Sequence, residues 1–150
     1  MKTMPSQLYP APTVGAFIFN PQGQLFLMQS HKWRDAYVVP GGHIELGERM
    51  EEALRREVKE ETNLEIYDIE FLIFQEFIYD EAFWEKRHFI FFDFACKTES
   101  TEVILNEEAH AYVWVTIEEA LALPLDAYTR IALNKCIGKK ARNCVPKIRI

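Results

Sequence analysis

Residues Gly42 to Leu64 read GHIELGERMEEALRREVKEETNL. A short glycine-bearing loop runs into a stretch with far more glutamate than solvation requires. Advancing the chain by roughly 100° per residue places a helix over Glu48–Thr62. Met50, Leu54 and Val58 then form an apolar stripe that should face a core. Glu57 and Glu61, one turn apart, fall on that same side, and Glu60 and Ala53 border it. Glu51, Glu52, Arg55 and Lys59 take the opposite face, with Glu51 paired to Arg55 at i,i+4. The far-face glutamates read as solvated surface. Glu57, Glu60 and Glu61 do not, because a carboxylate at a core-facing edge is costly unless it is paired or bound to a metal.

Carboxylates at i, i+3 and i+4 can converge on one point beside a helix. Hard oxygen donors suit Mg2+ or Mn2+, not a soft metal. Such an ion neutralises phosphate oxygens, orients an anhydride and lowers the pKa of water. Gly41 and Gly42 let the backbone come close to a ligand. Gly47 can open the helix, where free N–H groups favour anions. The competing reading is surface salt bridging of the three glutamates to Arg56 or Lys59, and their side of the helix argues against it.

The pattern Gly42, five residues, Glu48, seven residues, Arg56-Glu57-Val58, one residue, Glu60-Glu61, one residue, Asn63, Leu64 resembles the Nudix box, with Asn63 where that family usually has glycine. Tyr37-Val38-Val39-Pro40-Gly41 resembles the family's strand into the loop. The resemblance implies an α/β/α sandwich, a mixed β-sheet flanked by helices, over residues 1–138, with a basic tail at 139–150. It implies Mg2+, with Mn2+ as a substitute, held by Glu57, Glu60, Glu61 and the backbone carbonyl of Gly41. Glu57 is a candidate base for water and Glu60 a second catalytic carboxylate; family members differ on which acts. Glu48 and Arg56 would orient the ligand glutamates, and Gly42 and Arg56 would border the substrate. Glu45 is either a further ligand or a solvated loop acid. Glu108, in the loop before Trp114, is a candidate extra ligand or base, although Glu107 and Glu108 also read as exposed loop acids.

The activity so implied is hydrolysis of a nucleoside diphosphate linked to another group, by attack of water on phosphorus. The box does not identify that group. The small chain puts nucleoside triphosphates first, with ADP-ribose, nucleotide sugars and dinucleoside polyphosphates open. One alternative is a catalytically silent nucleotide sensor, against which all three glutamates are present. Another is an RNA 5′-end pyrophosphohydrolase using the basic tail.

A hydrophobic fraction of 49% over 150 residues suits one domain with a substantial core. The formal net charge is −6, although Lys139, Lys140, Arg142, Lys147 and Arg149 follow Gly138 without an acid. An acidic body argues against broad nucleic-acid binding. Cys96, Cys136 and Cys144 lack metal-ligand spacing and read as reduced thiols of a cytoplasmic protein without a membrane segment. The expected partner is a small nucleotide, with a homodimer open.

Periodicity predicts strands at Thr13–Phe19, Leu25–Met28, Tyr37–Val39, Ile66–Tyr79, Arg87–Cys96 and Tyr112–Val115. Gln29–Asp35 reads as loop. Thr116 and Glu119 have the spacing of a capping box. A last helix is expected at Leu125–Ile137, ended by Gly138. Trp33, Tyr37, Phe77, Tyr79, Phe83 and Trp84 are possible stacking partners for a base, most of them better explained as core or rim. Lys86 and Arg87 are candidate phosphate contacts, and His88 reads as structural.

Overall fold

The computed structural model describes residues 7–143. Most of the basic tail therefore lies outside the described residues.

The framework is a seven-stranded mixed sheet. Its central strand, β1 (Ala11–Phe19), alternates two apolar sets, as the two-residue strand period requires. Val14, Ala16 and Ile18 point one way, with Phe26 and Met28 of β2 (Leu25–Gln29). Phe17 and Phe19 point the other way, with Leu25 and Leu27. The first face is covered by α1 (Met50–Thr62), which buries Ala53, Leu54 and Val58 against it. The second is covered by α2 (Ile117–Ala122) and α3 (Ala127–Asn143), through Ala120, Ala132 and Leu133. The result is the expected α/β/α sandwich.

β1 runs parallel to β6 (His88–Lys97) along its whole length, and β6 is antiparallel to β5 (Tyr67–Ile78), whose register shifts twice. β3 (Tyr37–Val38) and β7 (Ala111–Val115) flank β2. β4 (Gly41–His43) pairs antiparallel with Thr13–Gly15, where the sequence reads only as loop. The run 29–35 contains a short 3-10 turn at His31–Trp33, and Trp33 packs against Phe77 and Phe83 in an aromatic cluster.

Several boundaries differ from expectation for local reasons. α1 starts at Met50, with extended Arg49 as its N-cap. Gly47 and Glu48 therefore precede the helix; Gly47 sits in a turn at φ +80°. Met50 occupies the free first position and is 42% exposed, so the buried stripe begins at Ala53. Arg55 donates to the Ile66 carbonyl. α3 runs through Gly138, where an added Cβ would meet nothing within 4 Å. A glycine on such an open helix position weakens the helix by about 1 kcal/mol and need not end it.

The end of α1 matches expectation. Asn63 is left-handed at φ 67°, its N–H bonds the Lys59 carbonyl, and its side-chain amide donates to Glu102 O at 3.2 Å. Asn63→Gly should be neutral within about 0.5 kcal/mol, since glycine adopts this conformation freely but loses that exposed bond. Asn63→Val should cost about 1–2 kcal/mol and lower activity, because β-branched residues are disfavoured there. Thermal melts and rates of the two variants check this; equal tolerance of valine would contradict it.

Candidate active site

The glycines before α1 let β4 lie against both β1 and the helix. A Cβ on Gly41 would fall 2.0 Å from the Val14 carbonyl oxygen, and one on Gly42 would fall 2.3 Å from Cδ of Glu57. This close approach brings the Gly41 N–H to Glu61, whose Oε1 accepts it at 3.2 Å. Glu61 is 3% exposed, and Glu57 hydrogen-bonds to it. Burial first, and Glu57 second, push the Glu61 carboxyl far above the ordinary carboxylate range. Among the described residues no lysine or arginine pairs with Glu61.

Arg56 organises the rest of the box. Its Nε and Nη2 donate to Glu48 at 2.7 and 3.0 Å, a bidentate pair. Its Nη1 donates to Glu57 at 2.9 Å, and Nη2 also reaches the His43 carbonyl at 3.0 Å. The guanidinium holds Glu48 down to about 2. Glu48 also fixes the preceding turn by accepting the Glu45 N–H, while the Glu45 carboxylate stays in solvent, 3.9 Å from Arg56.

Glu60 does not join the pair of buried Glu61 and half-buried Glu57. Arg56 draws it outward at 3.4 Å, and its side chain is 55% exposed. The guanidinium therefore bonds both Glu57 and Glu60, against the expectation that their side of the helix excludes salt bridging to Arg56, and leaves only Glu61 of the three without it. Among the described residues, no three His, Cys, Asp or Glu side chains stand close enough to hold an ion.

Glu108 and Glu107 part company. Glu107 is exposed. Glu108 is held by Lys32 Nζ at 3.0 Å to both oxygens, and its charge is felt at Glu61 and His43. His43 sits beside the pair; burial holds its imidazole below the ordinary value, Glu57 opposing and Arg87 and Lys32 adding. Arg87 is paired to Glu85 at 2.8 Å. Lys32 and His43 neighbour these carboxyls, a placement that the sequence alone did not suggest. Lys32 lies in an unpatterned polar run, and His43 follows the glycines without periodicity of its own. Of the possible stacking side chains, Phe77 and Phe83 are core, while Tyr79 and Trp84 are exposed. His88 is tied through its backbone to Gln7, a structural role.

The NUDIX domain model matches residues 9–135. The chain belongs to the Nudix family. It is 35% identical over 105 residues to a nucleoside triphosphatase NudI of Enterobacter sp. (strain 638), covering 66% of this chain and 74% of that protein. It is 32% identical over 116 residues to Nudix hydrolase 5 of Arabidopsis thaliana; that match covers 74% of this chain but 38% of the plant protein. In structure it resembles a MutT Nudix hydrolase from Burkholderia pseudomallei, with TM-score 0.72 at 25% identity, over 85% of this chain and 98% of that one. This Nudix protein is a hydrolase acting on pyrophosphate bonds. Among the described residues no helix is long and apolar enough to cross a membrane.

Proposed function

We propose that the chain is a Mg2+-dependent pyrophosphohydrolase of small nucleotides, with nucleoside triphosphates as the first substrate class. The observation that carries this is the buried Glu61 facing Glu57 against the Gly41 backbone. Two adjoining carboxyls, one almost fully buried, are a donor set that fits a hard divalent ion. Glu57, Glu61 and the Gly41 carbonyl would hold Mg2+ or Mn2+, with Glu60 swinging in from Arg56. The ion supplies positive charge for phosphate oxygens and acidifies water. The name of the NudI relative supports triphosphates, and the intact glutamates count against a silent sensor.

The chain's own groups divide the remaining work. Arg56 fixes Glu48 and Glu57, so the carboxylates meet the anhydride already oriented. Lys32 and Arg87, whose charges reach His43, would serve phosphate oxygens as cations by exchanging their partners Glu108 and Glu85. Glu57 or Glu108 takes the proton of the attacking water as the oxygen–phosphorus bond forms and the anhydride P–O bond breaks. A triphosphate then yields a nucleoside monophosphate and pyrophosphate.

Turnover of a nucleotide panel with Mg2+ and with Mn2+, with products identified, tests this reading. Triphosphate cleavage that EDTA abolishes is expected; no turnover of any nucleotide would overturn it. Glu108→Gln should lower kcat by about 10²-fold if Glu108 supplies the base, with Glu107→Gln near wild type. Wild-type rates for both would leave the α1 glutamates as the catalytic carboxylates.

A further inference from the structure

β5 is the last strand on its side of the sheet, so its outer edge is open. From Ile73 to Ile78 it pairs with β6 in unbroken register. The Tyr79 N–H bonds the Arg87 carbonyl at 2.8 Å, which sets the phase of the ladder. Ile73, Gln75 and Phe77 therefore turn their main-chain groups to β6, and Phe74, Glu76 and Ile78 turn theirs outward. Among the described residues nothing meets those outward groups; the Lys139 ammonium covers the strand earlier, at the Phe71 carbonyl. Sheet edges are commonly blunted by lysine, proline or a bulge. β5 has no lysine or proline, and both of its register shifts fall before or at Ile73.

The sheet face beside this edge is apolar. Gln75 and Phe77 reach Tyr128 of α3, so Phe74, Glu76 and Ile78 point to the opposite face, that of α1. Phe71 joins them there, edge-on to Phe94 at 5.6 Å. Phe71, Phe74 and Ile78 are 44, 59 and 53% exposed. Charge is divided along the strand. Asp68 and Glu70 stand at its start, where Lys97 and Lys139 reach them only at 3.7 and 3.6 Å. Beyond its end Lys86 lies over the Tyr79 ring at 4.9 Å, and among the described residues no carboxylate pairs with it. Asp80, nearby, is taken up by the Tyr128 hydroxyl and the Ala82 N–H.

We infer that β5 is a dimer interface: a second copy of this chain adds its own β5 antiparallel, across a two-fold axis at Gln75, and joins the two sheets. An open ladder is satisfied by another extended chain, and a two-fold contact closes on itself at two copies. With the axis at Gln75, the outward groups of Phe74 meet those of Glu76 in the other copy. The apolar strips of Phe74 and Ile78 then run side by side, and the two Glu76 carboxylates do not face each other. The start of each β5 lies beside the end of the other, which brings Asp68 and Glu70 towards Lys86 of the second copy. Opposite charges so placed fix the antiparallel direction.

Sedimentation of the full chain should show a dimer at micromolar concentration that dissociates on dilution. Phe74→Lys and Ile78→Lys alter side chains exposed in the single chain, so both should fold, and each should weaken the dimer at least about tenfold. Lys86→Glu should weaken it too, most at low salt. Hydrogen exchange reads the edge itself. The N–H groups of Phe74, Glu76 and Ile78 should exchange slowly in the dimer and quickly in Phe74→Lys, while those of Gln75 and Phe77, bonded to β6, stay slow in both. A chain that is monomeric at every concentration overturns the inference. So does a dimer that none of the three substitutions weakens, which would use another face. Slow exchange at Phe74 and Glu76 in a monomer overturns it in favour of cover by the same chain.

Discussion

On the proposed function, Glu61→Gln should lower nucleotide turnover by roughly 10²–10³-fold, a few kcal/mol of lost charge stabilisation, while the metal-free protein should melt at the same temperature or higher. Glutamine keeps the shape of the side chain and can still accept the Gly41 N–H. It removes the charge that a cation would need and that Glu57 opposes. The effect on stability has a definite sign. The folded-state pKa of Glu61 is raised, so the folded protein holds that proton more tightly than the unfolded chain. Stability is complete below the ordinary carboxylate range and is lost as pH rises towards the folded value. Metal-free wild type should therefore lose melting temperature as pH rises from about 5, and Glu61→Gln should give a flatter curve. Calorimetric melts in EDTA across pH 5 to 9 check both halves. Parallel curves for the two proteins would mean that Glu61 is not held protonated by its burial.

Gly41→Ala should be the most destabilising conservative change in the box. Its Cβ would fall 2.0 Å from Val14 O and 2.9 Å from Gly15 Cα, both backbone, so the β1–β4 pairing must open. Forced overpacking of this kind costs about 1–3 kcal/mol or more, and the N–H donated to Glu61 moves with it. Gly42→Ala meets a side chain instead, at 2.3 Å from the Glu57 carboxyl, which can swing aside. It should lose activity at a melting temperature close to wild type. Melts and rates of the pair separate the two effects; a Gly41→Ala protein that melts like wild type would contradict the close approach of β4 to β1.

What the sequence showed and hid follows the range of each interaction. The burial of Glu61 and the left-handed Asn63 were legible because helix period and end chemistry act within a few residues. β4 was not legible: it is three residues long, two of them glycine, and is a strand only because Thr13–Gly15 lies beside it. The parallel pairing of β1 with β6 joins residues far apart in sequence and leaves no local pattern. The outward turn of Glu60 depends on the guanidinium of Arg56, which a helical wheel places nearby without showing that it bonds Glu48, Glu57 and Glu60 together. Gly138 misled because an open helix position tolerates the same residue that commonly ends a helix.

The most direct test of the central claim, that Glu57 and Glu61 form a divalent-cation site, is a titration of the protein with Mn2+ followed by the electron paramagnetic resonance of the free ion. The account predicts that wild type takes up Mn2+, that Mg2+ competes for it, and that Glu57→Gln and Glu61→Gln each weaken uptake at least about tenfold. Uptake by both variants indistinguishable from wild type would contradict it.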